Sequence, residues 1–471
     1  MNTTLLKPLN KAIILMLSFI FIFSCQNDDN DLQEAQFSNN PYVFTDNFIG
    51  LGSDFYFPYG GSKFTSFSVD KSEGYNSNAS IRIDVPNSDD LNGAYAGGIF
   101  RIDGPGRNLT EYNALTFWVK ASQGVNIGEF GFGEDFGLNK YITTIPNVSV
   151  GTSWSKVIIP IPDASKLLQE RGVFRYAAGT QGTGGSGYIL WIDEIKFEKL
   201  GTIAHPKGTI AFGNNITETS FIGVNSDIEG IQFIVNMPNA INLQVNASPY
   251  YFNFKSSDPA VATVSENGII TTIGSGTSVI TASLGSIETT GSVTIKSLGS
   301  FSPAPIPNLP PEKVISIFSD TYTNVPVNYY NGYWAPWQTT VSNDFSVQGN
   351  NLLNYNLFNF VGIEFTSPTI NATMMTHIHL DVYIPGPIAP GRQLRVIVVD
   401  FGNDKAFNGG DDTRHSTTFT APKLVSGNWV SIDIPFSSMT GLVSRTNLAQ
   451  IILEGGDGSS MYVDNIYFYK L

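Results

Sequence analysis

Between residues 41 and 200 apolar and polar residues alternate in short bursts. ASIRIDV (79–85), AGGIFRI (96–102), ALTFWVKA (114–121), SKVIIPIP (155–162) and YILWIDEIKFE (188–198) place apolar side chains at every second position. That is the pattern of strands with one face buried. Gly, Asn, Asp and Ser clusters separate them and read as turns. Only ASKLLQER (164–171) carries a helical pattern. The expectation for 41–200 is a β-sandwich. The same alternation returns over 314–471, and a smaller set of strands lies between, from 201 to 300. The start of that middle segment, 201–245, has no clear pattern. With 46 Gly, 25 Pro, 33 Phe and 14% charged residues among 471, the composition also favours an all-β chain.

The two outer segments repeat one another. VFTDNF with Asp46 corresponds to SIFSDTY with Asp320, and TSWSKVIIPIPD with Trp154 to GNWVSIDIPFSS with Trp429. YILWIDEIKF with Asp193 corresponds to SSMYVDNIYF with Asp464. The anchors keep their order and their rough spacing, so the segments are expected to share a fold. An early strand Asp, a Trp before an I-x-I-P strand and a closing Φ-D-x-Φ-x-F strand together resemble jelly-roll carbohydrate-binding modules. In the middle segment, SSDPAVATVSENGIITTIGSGTSVITAS (256–283) reads as turn, strand, hairpin turn and strand, and resembles bacterial immunoglobulin-like domains of group 2. Five prolines in SPAPIPNLPPEK (302–313) favour an extended connector. The expected layout is a targeting signal over 1–24, a polar tether over 25–40, a jelly roll over 41–200 and an Ig-like domain over 201–300. A linker follows over 301–313, then a second jelly roll over 314–471.

NYYNGYWAPWQ (328–338) holds three Tyr and two Trp in a stretch that Gly332 and Pro336 keep from being regular. Such rings are either a lid folded on their own core or a platform for flat apolar ligand faces, pyranose rings above all. The candidate sugar-binding residues are therefore Tyr329, Tyr330, Tyr333, Trp334 and Trp337. Asp411, Asp412 and Arg414 on the polar loop 400–415 could bond sugar hydroxyls, or the loop could bind calcium or simply be solvated. The first jelly roll offers Tyr56, Tyr59 and Tyr95, with Asp135 and Lys140 in a neighbouring loop. Its three Trp and Trp429 are expected in the core.

The resemblance to jelly-roll modules implies a structural calcium shared by Asp46 with Asp193, and by Asp320 with Asp464, because Ca2+ takes several hard oxygens in irregular geometry. The same Asp residues could instead only bond strand ends. WIDEIKFE (191–198) has a passing likeness to the acid-bearing strand of β-glucan hydrolases. Adjacent strand residues face opposite sides, however, so Asp193 and Glu194 cannot form the acid pair of a retaining enzyme. HIHLD puts His377, His379 and Asp381 on one strand face, as a zinc site or, more simply, as a solvent-facing polar stripe.

Lys7 and Lys11 precede an apolar run from 12 to 23, too short for a comfortable membrane span. It ends at Cys25, the only cysteine, which excludes disulfides. This resembles a bacterial lipoprotein signal with Cys25 lipidated, and QNDDND (26–31) resembles the export signal of Bacteroidota surface lipoproteins. A net charge of -14 disfavours nucleic acid and strongly acidic polysaccharides. The combined expectation is a non-catalytic glycan-binding lipoprotein on the outer face of the outer membrane. It would hold a neutral polysaccharide, β-1,3-glucan (laminarin) first, for an importer complex of a polysaccharide utilisation system. A β-glucanase and a surface adhesin are the rival expectations.

Overall fold

The structure is a computed structural model that describes residues 36–471. The expected targeting signal over 1–24 and Cys25 lie outside the described residues. The chain is all-β and divides into two compact units, the first ending at Gly201 and the second running from Thr202 to Leu471.

The first unit is a sandwich of two antiparallel sheets. Its back sheet runs, in spatial order, Phe67–Asp70, Ser80–Val85, Tyr188–Glu198, Ala114–Ala121 and Ser155–Pro160, with Tyr42–Phe44 also paired to Tyr188–Glu198. Its front sheet runs Tyr56–Pro58, Ala96–Arg101, Gly172–Ala178, Val125–Phe132 and Thr143–Val150. Interlocked rings fill the space between them. Phe117 lies 4.9 Å from Phe130 and 5.2 Å from Phe174, and Phe100 lies 5.7 Å from Phe174. All four are essentially buried, each adding roughly 1.5–3 kcal/mol by leaving water.

Two expectations fail in this unit. Residues 164–171 form only a 3-10 turn, Ala164–Lys166, which Asp163 caps by accepting from the Ser165 amide. The buried Glu170 carboxylate then accepts from the Arg171 and Gly172 amides and feeds the chain into the next strand. Trp118, Trp154 and Trp191 are not core residues. They are half-buried on the outer side of the back sheet, where Trp118 stacks on Tyr75 at 3.8 Å and Lys120 sits 5.3 and 5.0 Å from Trp154 and Trp191. Phe117 and Val119 take the inward positions that alternation denies to Trp118.

The second unit contains the Ig-like module and the last sandwich. Residues 201–245, unplaced by sequence, supply Ala204–Thr209, Asn215–Ser220, Asn225–Asp227, Gln232–Asn236 and the start of Asn242–Ala247. The last sandwich repeats the strand order of the first except at one edge of the front sheet. Its back sheet runs Val341–Val347, Asn350–Asn356, Met461–Tyr469, His377–Tyr383 and Trp429–Pro435, with Val314–Phe318 also paired to Met461–Tyr469. Its front sheet runs Phe360–Glu364, Leu448–Glu454, Leu394–Asp400 and Thr413–Phe419. A bridge between Tyr329 and Glu364 takes the place of the first sandwich's edge strand.

The repeated Φ-D-x-Φ motif makes the same bulge twice. Glu194 and Asn465 have φ of 51° and 52°, and each donates its amide to the preceding Asp carboxylate at 2.7 Å. The strand registers shift at these points.

The Ig-like module and the last sandwich share a core. Phe221 and Val224 pack with Val347, Leu352 and Tyr462, all five nearly inaccessible, with Phe301, Tyr383 and Trp429 around them. Trp429 is thus half-buried at this junction rather than inside the sandwich. The proline-rich segment crosses the same back sheet as a strap. The carbonyls of Ser302, Pro305 and Leu309 accept from Trp429 Nε1 (2.7 Å), Asn465 Nδ2 (3.1 Å) and the Tyr322 hydroxyl (2.9 Å).

The HIHLD stripe is not solvent-facing. His379 and Asp381 are 9% and 0% exposed. His379 stacks on Tyr467 at 4.6 Å, bonds Asp433 at 2.8 Å and approaches Asp381 at 3.4 Å. Burial opposes its protonation, but the hydrogen bonds to Asp381 and Asp433 outweigh it and raise the imidazole to about 9.

Candidate functional site

Strand alternation decides which front-sheet side chains look outward. In the first sandwich Phe100, Phe174, Tyr176 and Phe130 point inward, so their neighbours Ile99, Arg175 and Gly131, paired across three strands, lie on the opposite side, where Ile99 is covered (1% exposed) and Arg175 is half-buried. Gly97, Ala177 and Glu129 form the next outward row.

Arg175 is the hub of this face. Its guanidinium pairs with Glu129 at 2.8 Å and Glu134 at 3.0 Å, donates to the Tyr59 hydroxyl at 3.2 Å and lies 5.3 Å from the Tyr59 ring. Tyr95 packs edge-on to Tyr59, with centroids 6.2 Å apart, and lies over Gly97, where a Cβ would sit 2.6 Å from its ring. Burial pushes the Tyr95 phenol well above its ordinary value. Further along the same strand Arg101 lies over Phe57 (4.7 Å) and Phe136 (5.5 Å) and pairs with Asp54 at 3.5 Å. From Tyr95 to Arg101 the strand spans about 20 Å. Tyr56 is not part of this face. It points inward, its hydroxyl 3.2 Å from that of Tyr176 and its ring 5.1 Å from Phe100, because Phe57 takes the outward position. Asp135 turns back on its own loop and accepts from the Gly137 amide, and Lys140 lies in that loop.

In the last sandwich the outward rows of the front sheet read Phe360–Glu454–Arg395–Thr418, Gly362–Ile452–Ile397–Ser416 and Glu364–Gln450–Val399–Arg414. Trp334 lies over Gly362, where a Cβ would meet its ring at 2.5 Å, and 6.1 Å from Phe360. Tyr329 is held to Glu364 through the backbone, accepting from the Glu364 amide at 3.0 Å, and burial with the Glu364 contact pushes its phenol up to about 12. Glu364 also accepts from Gln450 Nε2 at 2.7 Å. Arg414 stands on this side at the far edge, three strands from Glu364 and thus about 14 Å away.

The loop is rigidly held. Gln338, buried, accepts from the Trp334 amide at 2.8 Å and bonds Asn331 and the Thr340 carbonyl, while Asn359 Nδ2 donates to the Trp337 carbonyl at 2.8 Å.

The five rings of 328–338 therefore do not form one platform. Tyr330 points into the core, its hydroxyl donating to the Ile317 carbonyl at 2.9 Å and its ring 5.4 Å from Phe318. Tyr333 and Trp337 are 63% and 75% exposed. Asp411 and Asp412 serve their own loop, accepting from the Asn403 and Asn408 amides at 2.7 and 2.8 Å. With Asp404 they form a carboxylate group whose ligand atoms lie within 4.8 Å of one another.

The two Asp pairs differ. Asp193 accepts from Tyr75 N, Ser77 Oγ and Glu194 N, while Asp46 is exposed in the turn after the first strand. Asp193 is thereby filled by its own chain, and this pair does not fit a shared cation. Burial raises Asp193 to about 6. Asp320 is also bonded, accepting from Asn351 N and Nδ2 at 2.7 and 2.8 Å, but unlike Asp46 it shares with its partner, Asp464, a cleft of about 330 Å³ lined by Asn350, Gln348, Asn465 and the strap prolines. Burial, and the nearby charges of Asp320 and Asp381, raise Asp464 to about 7. The Asn350 side-chain oxygen is buried there with no partner. An orphaned acceptor beside two carboxylates fits a hard cation.

Residues 41–199 match the family model of Carbohydrate binding domain 30, and residues 252–297 that of Bacterial Ig-like domain. The matches support a carbohydrate-binding-module protein with an Ig-like domain. Among solved structures, a family 11 carbohydrate-binding module from Clostridium thermocellum, in complex with a β-1,3-1,4-mixed-linked tetrasaccharide, is 17% identical. That match covers 29% of this chain and 85% of that one, with a TM-score of 0.22. A family 30 module of a C. thermocellum cellulosomal cellulase is 17% identical, covering 35% and 96%, with a TM-score of 0.23. A tandem of family 22 modules from Paenibacillus barcinonensis is 12% identical, covering 93% and 99%, with a TM-score of 0.23. Scores this low carry neither fold nor ligand across. No curated protein matches the chain.

Sequence reasoning missed Arg175, Glu129 and Glu134 in the first sandwich, and Gly362, Glu364 and Gln450 in the last. Each set comes from strands far apart in the chain. The available signal was glycine inside a strand, in AGGIF and FVGIE, which marks a close approach by another group.

Proposed function

We propose that the protein is a non-catalytic surface lipoprotein that captures a neutral polysaccharide, with β-1,3-glucan the first candidate. The observation that carries the reading is the outward face of the first front sheet, within the segment matched by the carbohydrate-binding model. Tyr59 and Tyr95 offer ring surfaces for sugar C–H faces, while Arg175, Glu129 and Glu134 offer hydrogen bonds to hydroxyls. Two arginines on this face meet three carboxylates, Glu129, Glu134 and Asp54, so an acidic glycan gains nothing from it. Acyl chains on Cys25 would anchor the protein at the outer membrane, facing outward, where captured glycan passes to an importer complex. Asp320, Asp464 and Asn350 would hold calcium, which would neutralise the carboxylates beneath the strap.

The test is affinity electrophoresis of the mature protein in gels containing laminarin, mixed-linkage glucan, xylan, mannan or alginate. Retardation by a neutral β-glucan is expected, together with no release of reducing ends. Replacing Tyr95 by Ala should weaken retention by about 1–3 kcal/mol, by analogy with other ring-stacking contacts. Free migration in every gel, or retention by alginate alone, would defeat the proposal. Release of reducing ends would favour the β-glucanase reading, for which Glu129 and Glu134 on one open face would be the acids to replace.

A further inference from the structure

We infer that residues 314–471 carry a second, separate glycan site on their own front sheet, centred on Trp334. This rests on the glycan-binding reading of the first sandwich, and it extends that reading to a segment that no family model covers.

Three observations support it. The first is equivalence. Both sandwiches have the same strand order apart from one front-sheet edge, the same bulge in the last strand and a segment paired at that edge. In each, an aromatic ring lies over a glycine of the strand next to that edge, Tyr95 over Gly97 and Trp334 over Gly362. A ring seated on bare backbone sits lower than one propped on side chains, and leaves its other face for a ligand.

The second is chemistry. The row beside Trp334 continues through Ile452 and Ile397, the latter only 9% exposed, to the exposed Ser416, so two isoleucines form the apolar middle of a row about 14 Å across four strands. Polar pairs border it on both sides. Glu364 with Gln450 lies on one, Arg395 with Glu454 (3.1 Å) on the other. A flat ring with an apolar face and a rim of hydroxyls meets apolar surface beneath and hydrogen-bonding groups at its edges. Arg395 and Glu454 compensate one another, while Glu364 is bonded by the neutral Gln450 amide, so the border offers an acidic glycan no net positive charge and suits a neutral one.

The third is preorganisation. The Gln338 and Asn359 bonds fix the loop that bears Trp334, so little ordering remains to be done on binding. Two sites on one chain would then hold a long polymer more firmly than either alone.

The full chain can test this, using laminarin and mixed-linkage glucan as probes in affinity gels, with soluble hexasaccharides of each in calorimetry. Wild type should bind two hexasaccharides per chain. Trp334→Ala and Tyr95→Ala should each leave one, and each should reduce polymer retention tenfold or more. Ser416→Trp, an exposed change on the same row, should mimic Trp334→Ala without touching the loop. A stoichiometry of one in wild type, lost in Tyr95→Ala and unaffected by Trp334→Ala and Ser416→Trp, would overturn the second site and leave the first standing. Wild type that binds no glycan would overturn both. Binding lost on Trp334→Ala alone would support this site and refute the first.

Discussion

Phe221→Ala is a decisive test of whether the Ig-like module is a spacer or part of the last sandwich. Phe221 is 2% exposed and touches the rings of Phe301 (5.2 Å), Tyr462 (5.5 Å) and Tyr383 (5.9 Å). Truncating a buried Phe to Ala costs about 3–5 kcal/mol, and lost ring pairs push toward the upper end. The junction is small, however. Once the modules separate, no further stability can be lost through it, so about 3 kcal/mol is the expected value. For a unit of this size that lowers the midpoint by roughly 6–12 °C. Calorimetry of the full chain should show the Ig-like module and the last sandwich melting in one transition in wild type. In Phe221→Ala that transition should move down or split, and Phe221→Leu should fall between. If Phe221→Ala leaves the trace unchanged, or wild type already melts the two modules separately, the shared core is not energetically real.

Other outcomes follow from the same geometry. His379 is raised to about 9 in the fold against about 6.5 unfolded, so its contribution, about 3 kcal/mol, is full below pH 6.5 and lost as pH rises through 9. Asp464, raised to about 7 from about 3.9, likewise favours the fold below pH 4 and loses that contribution as pH rises through 7. Stability should therefore fall from pH 5 to pH 9.5, less steeply in His379→Gln, and urea titrations across that range would show it; a rise would refute the assignment. Millimolar calcium should restore stability at pH 8 but not at pH 5, and Asp464→Asn should abolish the effect. Gly362→Val should match Trp334→Ala in glycan retention while keeping a wild-type circular dichroism spectrum, because the new Cβ displaces the ring; normal retention would mean that Trp334 is not the contact.

Much of the fold was legible. Alternation marked most strands of both sandwiches, and the spacing of Asp46, Trp154 and Asp193 against Asp320, Trp429 and Asp464 revealed the repeat. The candidate site was less so. The cluster 328–338 drew attention to Trp334 and Tyr329, but Tyr329 bridges Glu364 at the sheet edge while Tyr330 turns into the core, so the two do not serve one surface. Strand parity separates Tyr56 from Phe57. Arg175 with Glu129, and Glu364 with Gln450, meet only across strand pairings that no local pattern reveals. The helix expected over 164–171 failed because a buried Glu170 holding two backbone amides outweighs local propensity.

The strap also changes what the proline-rich segment must conserve. A free linker tolerates insertions because only its reach matters. Here three carbonyls, at 302, 305 and 309, are docked onto Trp429, Asn465 and Tyr322. The interval between docking points is fixed by the sheet beneath, as notches on a ruler are. One residue added between 302 and 309 would put every later carbonyl out of step, whereas exchanging an undocked side chain would cost little. Length, more than proline content, is the property this stretch has to keep.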